Sequence, residues 1–232
     1  MYFDPTYIYL VLPAVILAMW ASARVKQTFK KYDRQFSASN ISGAQAAQRV
    51  LYANGLTNVR IERISGSLTD NYDPRDNVIR LSQSVYDSTS TAAIGVACHE
   101  AGHALQYAQG YAPIKLRAAI IPATNLGSKL AMPLIIIGLI MSYYASDFLS
   151  VAYAGIILFA VCVVFQIITL PVEFNASHRA LLAIEGQGML TQSELAGSRK
   201  VLTAAAMTYV AALAVSLAQL LRFLLLVGNR RN

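Results

Sequence analysis

Residues 148–172, "FLSVAYAGIILFAVCVVFQIITLPV", run for twenty-five positions without one charged side chain. About 20 apolar residues in a helix cross the hydrocarbon of a bilayer. Inside lipid the backbone must bond to itself, so such a run is helical. Residues 118–146 are of the same kind, interrupted by Lys129, and only a short stretch around Asp147 separates the two. Residues 118–172 are therefore expected to form a transmembrane hairpin. Residues 7–23 supply another span, with no charge between Asp4 and Arg24 and with a tolerable Pro13. A signal peptide would need a basic start, and this chain reads "MYFDPTY". Residues 201–227 form a last apolar helix, broken by Arg222, that either spans or lies in the interface. Composition agrees: 56% of residues are hydrophobic, 13% are charged, and the mean hydropathy is +0.45.

The charges locate the polar part. Net charge is +7, and twelve of the nineteen Lys and Arg lie between Arg24 and Arg117, beside seven acidic residues. Arg24, Lys26, Lys30, Lys31 and Arg34 directly follow the first span, which puts residues 24–117 in the cytoplasm by the positive-inside rule. No dense basic run with interleaved aromatics occurs, so nucleic acid is not an expected partner. The lipid bilayer is. Cys98 and Cys162 suggest no disulfide framework.

Within 24–117, "SGAQAAQRVLYANGL" places Ala46, Ala47, Val50, Leu51 and Leu56 on one helical face and stops at Asn54-Gly55. "NVRIERIS" and "NVIRLS" alternate like short strands, and the turn-rich "TDNYDPRD" separates them. "YDSTSTAAIGVACHEAGHALQYAQGYAP" then reads as one helix. Its cap candidates lie at Asp87 to Thr91, and Gly110 and Pro113 mark its stop.

That helix carries His99, Glu100 and His103. Positions i and i+4 lie about 40° apart on a helix, so both imidazoles can serve one ion. Glu100 follows by about 100°, beside the position a water would take. Zinc makes such a water acidic, and a carboxylate can carry its proton to a leaving amine. This is the H-E-x-x-H arrangement of metallopeptidases. The bland alternative is a solvated His-Glu-His trio, which the surrounding Ala, Gly and Leu disfavour. Cys98 points about 100° away from His99 and reads as a small core residue. Gly102 costs about 1 kcal/mol in mid-helix relative to Ala. Close approach of another element to the metal face would explain it, and so would plain helix packing.

A catalytic zinc generally takes a third protein ligand. Position 109 is Gln, so the third histidine of a metzincin is absent. Asp147 sits at the hairpin tip, across the membrane from His99. Two spans bring the chain back at Glu173, so topology favours that residue; Glu185 and Glu194 stay open. The other reading of Glu173 is a helix N-terminal carboxylate following Pro171, stabilised by the helix dipole.

"HEAGHALQ", two spans and then "PVEFNASHRALLA" resemble the YugP-type family of small bacterial membrane zinc metallopeptidases. The likeness covers nearly the whole chain, including "DNYDPRDNVIRLS". More distantly it extends to the HtpX and CAAX-protease type membrane gluzincins. The resemblance implies one Zn²⁺ per chain on His99, His103 and Glu173, with Glu100 as general base. It also implies a bacterial plasma membrane location. Where gluzincins often place an Asp to orient a ligand histidine, four residues after the ligand Glu, this chain has Ser177.

His178 is the remaining histidine. It would stabilise an oxyanion, pair with a carboxylate, or be an ordinary helix histidine; Asn175 is a weaker candidate of the same kind. "NVIRLS" is either an edge to which an extended peptide adds or part of a plain two-strand ribbon.

The expected fold class is thus mainly α and integral to the membrane, a single domain over residues 1–232. Three or four transmembrane helices accompany a cytoplasmic gluzincin-like subdomain that holds a short β ribbon and the H-E-x-x-H helix. Residues 173–200 bring the third ligand. The expected activity is zinc-dependent hydrolysis of peptide bonds in membrane or membrane-proximal proteins. The alternatives are an intramembrane site-2-type protease, whose N-P-D-G segment is missing here, and a non-catalytic zinc-binding adaptor. A transporter would carry more polar groups in residues 148–172 than Gln166.

Overall fold

The uncharged run lies inside one helix that extends well beyond it. In the computed structural model, which describes residues 5–229, a π-type turn at Tyr7–Val11 leads into α1 (Leu12–Tyr32). There follow α2 (Gly43–Ala53), β1 (Arg60–Ile64), β2 (Asn71–Asp73), β3 (Val78–Ser82), α3 (Gln83–Tyr86) and α4 (Thr91–Ala108). The chain continues with α5 (Ala112–Met141), a 3₁₀ turn at Ser146–Phe148, α6 (Leu149–Gly186) and α7 (Gln192–Gly228). Four helical stretches, Tyr7–Tyr32, Ala112–Met141, Ser146–Gly186 and Gln192–Gly228, are long and apolar enough to cross a membrane. The last of them absorbs the apolar helix expected at 201–227.

Pro171 does not begin a helix, as the reading of Glu173 as an N-terminal carboxylate requires. It lies inside α6, and so do Pro122 and Pro133 inside α5. Breaking a long apolar helix would leave several backbone groups unpaired, whereas one proline removes a single N–H.

The chain divides into two compact units. One holds the residues up to Trp20, Leu116–Leu170 and the residues from Thr208 onward. Its helices pack through small residues, which let backbones approach closely. A Cβ added to Gly127 would stand 2.7 Å from the Leu158 carbonyl oxygen, and one on Gly155 2.8 Å from that of Ala131. Ile135, Ala152, Ile156, Phe223 and Val227 form its small core. Many large apolar side chains, such as Ile16, Ile137, Ile157 and Leu221, face outward. An apolar exterior of this extent suits a lipid environment.

The other unit holds Ala21–Lys115 and Pro171–Met207. Its core gathers Val50, Leu51, Ile79, Leu81, Ile94, Ala97, Ala180, Ile184 and Leu202. α2 buries the expected face, Ala46, Ala47, Val50 and Leu51. Ser42 and Gln45 cap it reciprocally in a capping box. Beyond Asn54, Gly55 takes φ +74° and Leu56 N–H donates to the Leu51 carbonyl, the Schellman ending that asparagine-glycine promised.

The β structure departs from the two-strand expectation. Three strands pair in the order β1-β3-β2, with β1 parallel and β2 antiparallel to β3. The turn-rich segment supplies β2 itself. Asp73 Oδ1 accepts the Arg75 N–H, and the Tyr72 hydroxyl donates to Asn77 Oδ1, so the turn between β2 and β3 is tied at both ends. "NVIRLS" is therefore the central strand and not an edge, and Val78, Ile79, Leu81 and Ser82 are all buried. The two outer edges belong to β1 and β2.

α4 crosses the middle of this unit. Fourteen of its eighteen residues are buried, which leaves no solvent face. Ser90 caps its start, with Oγ accepting the Ala93 N–H. Gly110 at φ +66° ends it, with Tyr111 N–H donating to the Gln106 carbonyl. Pro113 then lies in the first turn of α5.

Candidate metal centre

Small residues on α4 decide how close its neighbours come. A Cβ on Gly102 would stand 2.7 Å from the Ala176 carbonyl oxygen of α6, and one on Gly95 would stand 3.1 Å from Ser198 Cβ of α7. Gly102 sits between the two histidines, and Ala176 lies three residues beyond Glu173. The missing side chain thus serves both explanations offered for it: α6 packs tightly there, and α6 carries the carboxylate.

That carboxylate meets both imidazoles. Glu173 Oε2 is 3.3 Å from His99 Nε2 and 3.7 Å from His103 Nε2. The three ligand-type atoms lie within 4.8 Å of one another, a grouping able to hold a metal ion. The imidazole rings stand edge to face, with centroids 4.7 Å apart. The three side chains are 15%, 11% and 5% exposed, shielded but not sealed. Glu100 is also buried. Burial pushes its carboxyl above the ordinary value; the two imidazoles oppose this, and the Glu173 and Asp70 carboxylates add to it. Burial works against a charge on His103, but Glu173 and Glu100 outweigh it and hold that imidazole above the ordinary histidine value.

The second nitrogen of each ring has a partner. His99 Nδ1 lies 3.1 Å from Ser177 Oγ, the serine in the place of an aspartate. His103 Nδ1 lies 3.0 Å from Gln106 Oε1. Gln106 Nε2 donates to the Val172 carbonyl at 2.8 Å and to Asn175 Oδ1 at 3.0 Å. Asn175 Oδ1 also accepts Arg179 Nε–H at 2.7 Å, and Arg179 Nη1 reaches Gln109. Gln106 and Arg179 do not stand out in the sequence. The one available signal is periodic, since Gln106 follows His103 by three residues and shares its helix face.

Other acidic candidates are engaged elsewhere. Glu194 accepts the N–H groups of Thr191 and Ala38, and Glu185 accepts from Gln192 Nε2. Asp147 lies in the 3₁₀ turn before α6. His178 is exposed, and the structure does not bring it to the cluster. Five residues along α6 from Glu173, it points about 140° away. Asn175, an oxyanion candidate on sequence, stands behind His103 as part of the Gln106 network. Cys98 is fully buried, and burial pushes its thiol far above its ordinary value.

Four helices of membrane-crossing length among the described residues and a largely shielded His-His-Glu cluster define a class: a helical, membrane-type protein with a donor set suited to a zinc ion. Comparison with known proteins gives that class its family. The chain belongs to the family described as "Putative neutral zinc metallopeptidase", which matches residues 7–228. It is 45% identical over 226 residues to the "Putative membrane protease YugP" of Bacillus subtilis (strain 168), covering 97% of this chain and 98% of that one. No solved structure matches the chain significantly.

Proposed function

We propose that this protein is a membrane-bound zinc endopeptidase whose site faces the cytoplasm close to the bilayer. Its substrates would be membrane or membrane-proximal proteins of a bacterial plasma membrane. The observation that carries this reading is the arrival of Glu173 from α6 at both His99 and His103 of α4. Two imidazole nitrogens and one carboxylate oxygen, mutually within reach, fit a zinc site that keeps one position open. His99, His103 and Glu173 would hold the ion.

Bound zinc supplies a Lewis acid that polarises a carbonyl and acidifies water. The chain's residues do the rest. Glu100 takes a proton from the attacking water and delivers it to the leaving amine nitrogen. Ser177 and Gln106 hold the two rings behind their ligand atoms. α4 is not among the helices of membrane-crossing length found in the described residues, which favours this reading over a site-2-type protease. The buried Glu100 favours it over a zinc-holding adaptor, where that carboxylate would have no task.

The test is metal analysis and peptide hydrolysis with purified protein. The parent should hold one zinc per chain. Glu100→Gln should keep the metal and lose hydrolysis by about 10²–10⁴-fold, the usual contribution of a positioned acid–base group. Glu173→Ala should lose stoichiometric zinc. A Glu100→Gln variant that cleaves like the parent would overturn the mechanism.

A further inference from the structure

A histidine can offer a metal only the ring nitrogen that lacks a proton, and its partners decide which one that is. At His103, Nε2 faces Glu173 and Nδ1 faces Gln106 Oε1. Gln106 is fully buried, so water does not compete for its amide. The question is which way that amide points.

Two groups of fixed polarity on α6 answer it. The Val172 carbonyl can only accept, and it lies 2.8 Å from the Gln106 amide nitrogen. Arg179 can only donate. Its Nε lies 2.7 Å from Asn175, so the Asn175 atom that receives it is the carboxamide oxygen. That same oxygen lies 3.0 Å from the Gln106 amide. Both neighbours therefore demand the NH₂ side of Gln106. Its two N–H groups are used, and its oxygen is left for His103. Nδ1 must then donate.

We infer that Gln106, oriented by Val172 and by the Asn175–Arg179 pair, is a positioning residue that locks the His103 proton on Nδ1 and so turns Nε2 to the metal. An arginine two side chains removed from His103 thereby fixes its tautomer. His99 has no such lock, because the Ser177 hydroxyl can donate or accept. The two histidines differ: His103 is set in advance, and His99 adapts. The same amide also joins the two halves of the site. Val172 adjoins Glu173, so the side chain that holds His103 holds α6 one residue from the third ligand. The consequence for metal affinity rests on the zinc reading above; the position of the proton does not.

The chain has only three histidines, so ¹⁵N-histidine labelling of the full chain in detergent micelles gives an assignable set of ring signals. His103 Nδ1 should be protonated and slow to exchange with solvent, with and without zinc. Gln106→Met should lose that protection and weaken zinc binding about 10–100-fold, measured by chelator competition. Arg179→Met should speed exchange at the same nitrogen, and Arg179→Lys, which keeps a donor, should restore the parental rate. An unprotonated His103 Nδ1 in the parent overturns the inference. So does a Gln106→Met protein that binds zinc as the parent does, or an Arg179→Met protein that exchanges no faster. Should Gln106→Met fail to fold, the parent spectrum and the Arg179 pair still decide. Should the parent bind no zinc, the proposed function falls while the Nδ1 signal still judges the lock.

Discussion

Gly102→Ala adds one methyl group where α6 touches α4. The new Cβ would stand 2.7 Å from the Ala176 carbonyl oxygen, and ordinary contact begins at 3.4 Å. The difference, 3.4 − 2.7, means that α6 must retreat by about 0.7 Å, because the obstacle is backbone and not a flexible side-chain end. Overpacking of this kind costs about 1–3 kcal/mol. Alanine returns about 1 kcal/mol by its better helix propensity. The net loss of fold stability is therefore about 0–2 kcal/mol. The site has less tolerance. Metal–ligand distances hold to about ±0.2 Å, so a retreat of α6 that carries Glu173 with it exceeds what the cluster can absorb. The expected outcome is a zinc affinity at least about tenfold weaker in chelator competition, about 1.4 kcal/mol, with a smaller change in the thermal unfolding of metal-free protein. Gly95→Ala is the control. Its Cβ would meet a serine side chain at 3.1 Å on α7, away from Glu173, and should leave zinc affinity near the parent's. Parental zinc affinity in Gly102→Ala would refute the idea that this glycine sets the distance from Glu173 to the histidines.

His178→Ala should keep stoichiometric zinc and hydrolyse peptide within about twofold of the parent, the range of a surface substitution; a loss of about 10²-fold would return His178 to the site. The pH dependence of stability should register Asp73. Arg75 and Arg80 hold its carboxyl well below the usual carboxylate range. A depressed folded value stabilises the protein above the unfolded carboxylate's pKa of about 3.9 and is lost as pH falls towards the folded value. Chemical denaturation should thus show Asp73→Asn less stable than the parent near neutrality, with the gap closing below about pH 4. An unchanging gap would count against the pairing.

Much of the candidate site is legible because helical period is a strong signal. The spacing of His99 and His103 alone puts them on a shared face, and chain direction favours Glu173 over Asp147. Ser177 can be found by counting from Glu173. Gln106 cannot, because its meaning lies in Val172 and Asn175, which only the crossing of α4 and α6 brings near. The sheet is hard to read for a different reason. Alternation tells which residues share a face but not which strand is the neighbour, and β2 consists of Asn71, Tyr72 and Asp73, two of which favour turns. Pro171 misleads because a change from apolar to polar composition there resembles a break in the helix. The backbone has its own reasons to continue, and Glu173 is placed on α6 because it does.

Cys98 is next to His99 in sequence, yet it lies in the core with its thiol held protonated. Only the thiolate reacts with alkylating reagents. Cys98 is therefore silent while α4 stays packed and becomes reactive when the core around it opens. The chain thus carries a native reporter of its own breathing one position from the candidate metal centre. The rate at which that thiol is captured measures how often the helix that holds both histidines comes loose.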